Sequence, residues 1–207
     1  MRVGVISDVH ADLEALERAL SLLVAHGADK IVCLGDVVEK GPDGDAVVAC
    51  LDDWAIPVVN GNHEDNAAKH AALAPGEAPL RPETLARIAA YPTARLYCWE
   101  RLMVLAAHGT PRDNRVYVFP GEAVPRALKK QMRTPVADVV LLGHTHQPMA
   151  GWYRNTLFLN PGSVYGRKPR DSHSCGLLSL PDLGWRVFDL ETGAERAVSV
   201  PVWSRRV

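Results

Sequence analysis

The sequence predicts an α/β fold, and three observations carry that expectation. The first sixty residues alternate short β-rich runs with helical segments that are apolar on one face. Two further apolar runs, Leu102 to Ala107 and Ala137 to Leu142, read as strands. After residue 147 the pattern changes to short strands alone. Alternation of strand, helix and strand implies parallel pairing with right-handed crossovers.

Taken in order, Arg2 to Ser7 is the first strand. Asp12 is placed to cap the next helix, where Leu13, Leu16, Leu20, Leu23 and Val24 repeat at helical spacing, and His26-Gly27 closes it. Ile31-Val32-Cys33-Leu34 is the second strand. Gly41-Pro42-Asp43-Gly44 turns the chain into a helix carrying Val47, Val48 and Leu51, and Ile56-Pro57-Val58-Val59 is the third strand. Asn66 to Leu73 reads as a helix ended by Ala74-Pro75-Gly76. Pro82 suits the first turn of another helix, which runs to Ala90. Arg95 to Trp99 and Leu102 to Ala107 form a hairpin around Glu100-Arg101. Residues 109–121, with their prolines, glycines and mixed charge, form a long loop. Glu122 to Met132 is a helix and Ala137 to Leu142 a strand. Met149 to Tyr153, Thr156 to Leu159, Cys175 to Leu180 and Trp185 to Leu190 are the closing strands. No repeat, low-complexity tract or linker divides the chain, so residues 1–207 are expected to form one domain.

The bulk numbers narrow the function. At 47% hydrophobic and 23% charged, the 207 residues have an ordinary globular composition. Lysine plus arginine total 23 against 24 acids, a net charge of −1. That balance argues against holding nucleic acid by charge, yet leaves room for a small phosphorylated substrate. Cys33, Cys50, Cys98 and Cys175 form no Cys-x-x-Cys pair, so buried free thiols in a reducing compartment are expected. Val3-Gly4-Val5-Ile6 is too short for a signal-peptide core, and no apolar run reaches membrane-spanning length. The expectation is a cytoplasmic protein without a membrane partner; oligomeric state has no signature in the sequence.

Five short stretches end apolar runs with metal-binding side chains: Asp8-Val9-His10, Gly35-Asp36, Gly61-Asn62-His63-Glu64, His108-Gly109 and Gly143-His144-Thr145-His146. Each motif alone is weak. Together they follow five predicted strands, whose ends gather on one edge of a sheet where ligands collect. The two-residue steps Asp8/His10 and His144/His146 let both side chains reach neighbouring positions. Oxygen plus imidazole, without thiolate, suits manganese, iron, nickel or zinc. The set is large enough to hold two ions, and a metal pair about 3.5–4 Å apart is a recurring device for hydrolysing phosphate esters.

With His108-Gly109-Thr110-Pro111-Arg112-Asp113 and Asn160-Pro161-Gly162-Ser163-Val164, the series resembles the signature of the calcineurin-like metallophosphoesterases, in particular their small bacterial and archaeal phosphodiesterase branch. The likeness runs from residue 3 to about residue 180. It implies a four-layer α/β/β/α sandwich, two mixed sheets face to face with helices outside. It implies two divalent transition-metal ions, manganese foremost. Asp8, His10, Asp36 and His146 resemble the first ion's ligands, with Asp36 bridging; Asn62, His108 and His144 complete the second. His63 resembles the histidine that faces the substrate without binding metal. The implied reaction is phosphoester hydrolysis, phosphodiesters foremost, by a hydroxide held between the ions, with His63 as general acid.

The chain departs from the family in places. Ala11-Asp12 stands where Gly-Asn is usual. Glu39-Lys40 stands where the protein-phosphatase branch has Asp-Arg, and Asn60 replaces that branch's second arginine. Lysine does not supply the bidentate fork of arginine, which argues against protein dephosphorylation. Arg112, Arg167 and Arg170 lie in or beside loops able to close over the metals, with a solvated surface role as the alternative for each. His26, His70 and His173 read as surface residues, Trp99, Trp152 and Trp185 as packing, and Asp113 as fixing its own loop. The rival from another class is a catalytically silent metal-binding scaffold of the same fold. Within the enzymes the rivals are a phosphomonoesterase and a nuclease.

Overall fold

A computed structural model of the chain describes residues 1–73, 79–131 and 137–206. In chain order its elements are β1 (Arg2–Ile6), α1 (Leu13–Ala25), β2 (Lys30–Cys33), α2 (Gly44–Asp53), α3 (Asn62–Leu73), α4 (Pro82–Ala89), β3 (Ala94–Trp99) and β4 (Leu102–Ala107). There follow α5 (Arg126–Gln131), β5 (Val139–Leu141), β6 (Met149–Arg154), β7 (Thr156–Asn160), β8 (Ser174–Ser179), β9 (Gly184–Asp189), β10 (Glu195–Arg196) and β11 (Arg205–Arg206). The strands form two mixed sheets, one in the order β10-β9-β8-β1-β2 and the other β11-β6-β7-β5-β4-β3.

Period-2 alternation builds the layers. Val3 and Val5 on β1 and Val32 on β2 face the other sheet and meet Val104 and Ala106 of β4, Val139 and Leu141 of β5, and Leu157 and Leu159 of β7. The intervening Ile6 and Cys33 point outward and pack under α1 and α2. On the second sheet Leu105, Ala107, Val140 and Phe158 face outward, against Leu128 of α5. The result is the four-layer α/β/β/α sandwich. β1 and β2 are parallel, as are β4, β5 and β7, so their carboxyl ends share an edge.

Most elements stand where the sequence puts them, and the exceptions have local causes. Ile56 to Val59 is not a strand; it makes one bridge, Val58 to Cys33, because Pro57 offers no N–H to extend the ladder. The helix expected from Asn66 begins at Asn62, since carboxylates take up its first-turn N–H groups. The helix expected from Glu122 begins only at Arg126, because Pro125 keeps Val124 out of helical backbone. Its expected end at Met132, and the break at Ala74-Pro75-Gly76, lie outside the described residues. Val24 is 52% exposed and leaves α1's buried face to Ala15, Leu16, Ala19, Leu20 and Leu23. Strands β10 and β11 have no counterpart in the expected set. All four cysteines are free, but only Cys33 and Cys175 are buried; Cys50 is half-buried and Cys98 exposed. His26 is half-buried and stacks on Phe188, His173 is half-buried, and His70 is exposed. Trp99, Trp152 and Trp185 pack against the inter-sheet core as expected. Among the described residues no helix is long and apolar enough to cross a membrane.

Candidate metal centre

The loops that follow β1, β2, β4 and β5, with the first turn of α3, bring the motif residues to one edge of the sandwich. Asp8, His10, Asp36, His144 and His146 all have φ between 50° and 65°. That left-handed backbone costs about 1–2 kcal/mol per non-glycine residue and needs support from its surroundings. The loops support one another: Asp8 N donates to Gly35 O (3.0 Å), His10 N to Asp36 O (2.9 Å) and Gly143 N to His108 O (2.8 Å). Val164 N and Tyr165 N donate to Ser7 O and Asp8 O, and Asn160 Nδ2 donates to Gly143 O (2.7 Å). The Asn160-to-Val164 motif is thus a buttress for two ligand loops.

Among the described residues, three sets of side chains gather closely enough to hold a metal: Asp8, His10 and His146; Asp36, His108 and His144; and His10, Asp36 and His63. Asp36 belongs to two of the sets, and His10 also belongs to two. Asp8 Oδ2 accepts from Ser7 Oγ (2.6 Å) and His144 N (3.0 Å), which leaves Oδ1 directed at His146 Nε2, 3.0 Å away. Asp36 Oδ1 accepts from His63 N (2.9 Å), and its Oδ2 lies 3.1 Å from His108 Nε2. His10 Nε2 and His146 Nε2 approach to 3.2 Å, and His108 Nε2 and His144 Nδ1 to 3.1 Å.

Imidazole tautomers follow from the outer contacts. His108 Nδ1 faces the Leu34 carbonyl at 2.7 Å and His146 Nδ1 faces Asp171 Oδ1 at 2.6 Å, so each keeps a proton there and turns its Nε2 inward. Asp8 Oδ1 and Asn62 Oδ1 are buried and accept no hydrogen bond. Buried acceptors without partners are rare, and these two fit a cation. The donor set of carboxylate, amide oxygen and imidazole suits a divalent transition metal.

The charges within the cluster divide sharply. Burial opposes ionisation of Asp8, but His108, His146 and His10 hold its carboxyl well below the usual range. Asp36, also opposed by burial, is held at about 2, chiefly by His108. Burial pushes His10 down to about 3 and, with His108 beside it, His144 down to about 4. His108 is raised to about 9 although burial works the other way, because Asp36 and Asp8 flank it. His146 is raised against burial by Asp8 and then Asp171.

Every residue expected at the site is here: Asp8, His10, Asp36, Asn62, His63, His108, His144 and His146. Asn62 stands beside these histidines and carboxylates with its unpaired amide oxygen buried at the start of α3. Of the three arginines, Arg170 lines the cleft, Arg167 pairs with Asp12 on the surface (2.9 Å), and Arg112 is exposed. Asp12 Oδ1 caps α1 as expected, and Asp113 closes its own turn with Thr110 and Arg115.

Sequence reasoning missed four supporting residues. Glu64 is buried, and its Oε2 accepts from Asp36 N (2.9 Å) and Gly61 N (2.7 Å), while Oε1 accepts from Val37 N (2.8 Å) and Val38 N (3.3 Å). It staples two ligand loops together. Glu39 Oε2 holds His63 Nδ1 at 2.5 Å, Asp171 orients His146, and Lys40 Nζ reaches 2.5 Å from His10 Nε2. Glu64 carried a signal in its place directly after Asn62-His63, and Glu39-Lys40 in their place within the Gly35-Asp36 motif; Asp171 carried none. The cleft over these groups has a volume of about 290 Å³. A larger groove of about 490 Å³, walled by Trp54, Tyr97 and Trp99, holds none of the site's histidines.

The chain belongs to the calcineurin-like phosphoesterase superfamily, whose domain profile matches residues 1–182. It is 30% identical over 188 residues to phosphodiesterase YfcE of Escherichia coli, covering 86% of this chain and 87% of that one. An uncharacterized protein of Methanocaldococcus jannaschii is 27% identical over 176 residues, 79% of this chain and 70% of its own length. Among solved structures, a metallophosphoesterase from Sphaerobacter thermophilus shares the fold with a TM-score of 0.71 at 24% identity, over 96% of this chain and 89% of that one.

Proposed function

We propose that the chain, acting as one domain over residues 1–207, is a dinuclear metal-dependent phosphodiesterase for small substrates. Asp8, His10 and His146 hold one ion, Asn62, His108 and His144 the other, and Asp36 bridges them. Manganese is the first candidate among manganese, iron, nickel and zinc. The observation that carries the reading is the convergence of Asp8 and Asp36 with His10 Nε2, His108 Nε2, His144 Nδ1 and His146 Nε2, beside the buried, unpaired Oδ1 atoms of Asp8 and Asn62. Such an ion pair supplies positive charge for phosphoryl oxygens and a water acidic enough to ionise near neutral pH.

The chain's own groups do the rest. Glu39 accepts a hydrogen bond from His63 Nδ1 and fixes the ring; with Nδ1–H held there, His63 acts as the acid in its imidazolium form, whose Nε2–H passes to the leaving oxygen. Lys40 and Arg170 line the cleft and attract the phosphate charge. The relative YfcE is named a phosphodiesterase, which favours diesters over monoesters. A cleft of about 290 Å³ favours a small substrate over a phosphoprotein or folded nucleic acid.

The test is to strip the protein with chelator, reload it with manganese, nickel, iron or zinc, and screen phosphodiesters against phosphomonoesters. Metal-dependent turnover with diesters ahead is the expected result. Two bound ions with no turnover of any ester would favour a metal-binding scaffold instead.

A further inference from the structure

One wall of the cleft has no part in the proton or metal chemistry. Residues 116–120 lie at the end of the long loop against the second sheet's outer core, and the exposure of residues 117–120 alternates. Val118 and Pro120 are buried, Val118 in the cluster that contains Leu128 and Leu142. Tyr117, 50% exposed, and Phe119, half-buried, point the other way and line the cleft. Pro120 O accepts from Val202 N at 2.9 Å, which fixes the segment from behind.

The rings are ordered. Tyr117 lies over His144 with centroids 3.8 Å apart and planes at 15°, and Phe119 lies parallel to Tyr117 at 5.3 Å and 7°. Three rings therefore stack in series from a candidate metal ligand outward. Phe119, one ring further out, adds aromatic surface to a cleft otherwise walled by charged and polar groups, next to Lys40 and Arg170.

We propose that Phe119, backed by Tyr117, presents a stacking platform to the cleft, and that the substrate carries a planar aromatic group, a nucleobase or an aryl ring, beside its phosphate. The proposal rests on the phosphodiesterase reading and names the substrate class. Stacking of a base on an aromatic side chain tolerates any base, since every base has a π-face, and contributes about 1–3 kcal/mol. Nearby positive groups hold the phosphate while the platform takes the ring.

Calorimetric binding to the manganese-loaded protein tests this without turnover. Thymidine 5′-phosphate is compared with deoxyribose 5-phosphate, which lacks only the base, and phenyl phosphate with methyl phosphate. The wild type should bind thymidine 5′-phosphate about tenfold tighter than deoxyribose 5-phosphate. Phe119→Ala and Tyr117→Ala should bring that ratio to about one, and Tyr117→Phe should keep it. Phe119→Ala should also retain its metal by atomic absorption, which separates a platform from a prop for His144. A matching gain for phenyl over methyl phosphate assigns the platform to any aryl ester; a gain confined to thymidine assigns it to nucleotides. A wild-type ratio near one, or an unchanged ratio in Phe119→Ala, overturns the platform. Hydrolysis of bis(p-nitrophenyl) phosphate with no binding difference refutes the platform alone. A binding difference without hydrolysis of any ester refutes the phosphodiesterase reading alone.

Discussion

Lowering the pH should drive metal out of this site well before it unfolds the protein. His108 is raised to about 9, so at pH 7 its imidazole is protonated in the stripped protein. A ligand nitrogen must lose that proton before it binds. Each pH unit below 9 therefore weakens the second ion's apparent affinity about tenfold, and pH 7 leaves it roughly 100-fold weaker than the limit above pH 9. His146, also raised, adds to the slope at the first ion. His10 and His144, pushed down to about 3 and 4, are already neutral and contribute nothing over this range. The stripped protein should show the opposite trend. A histidine raised in the folded state stabilises fully below its unfolded value of 6.5, and that stabilisation is lost as pH rises to about 9. Manganese titrations by calorimetry in buffers of different ionisation enthalpy count the protons released and give the affinity at each pH. Affinity that is flat between pH 7 and 9, with no proton released, would refute the charge assignment of the cluster.

Three further outcomes test separate parts of the site. Asp36→Asn removes the shared charge, so bound metal by atomic absorption and diester turnover should both fall sharply while circular dichroism stays native; two retained ions with near-normal turnover would contradict the bridging role. Glu64→Gln replaces an acceptor of two backbone N–H groups with an amide donor. At about 1–3 kcal/mol for each buried N–H left unpaired, and a few degrees per kcal/mol, the melting temperature should fall by about 5–20 °C. An unchanged melting temperature would show that these contacts carry no stability. His63→Ala should keep both ions yet slow turnover by ~10²–10⁴-fold for poor leaving groups and by less for nitrophenolate esters. An equal loss for both would assign His63 to charge stabilisation instead of proton transfer.

The fold was legible where chemistry and periodicity agree. Val3, Val5, Val32, Val139 and Leu141 alternate with outward-facing residues, and the structure gives each face its own partner. Glu100 and Arg101 take φ of 47° and 67°, the tight hairpin turn the sequence asks for. The misread boundaries share a different cause. Glu64 and Asp65 suit the first turn of a helix from Asn62, Glu64 reaches back to Gly61 N just before it, and Asp36 accepts from His63 N. Asp36 is distant in sequence, so that part of the signal is tertiary. The ligands were legible because each ends an apolar run. The residues that orient them were not: Asp171 reaches His146 from 25 residues away, and nothing in its neighbours marks it.

This division bears on how the site tolerates its own cost. Five left-handed residues at about 1–2 kcal/mol each amount to about 5–10 kcal/mol, comparable with the whole net stability of a typical domain. Two buried, ionised carboxylates add to it. What offsets this cost lies in the protein, in the crossed hydrogen bonds between ligand loops and in the four N–H groups on Glu64. Ligand geometry is therefore imposed by backbone and carboxylate scaffolding before any ion arrives, which is why removing a ligand such as Asp36 should empty the site and leave the fold. By the same logic, removing Glu64, which has no role as a ligand, should damage both.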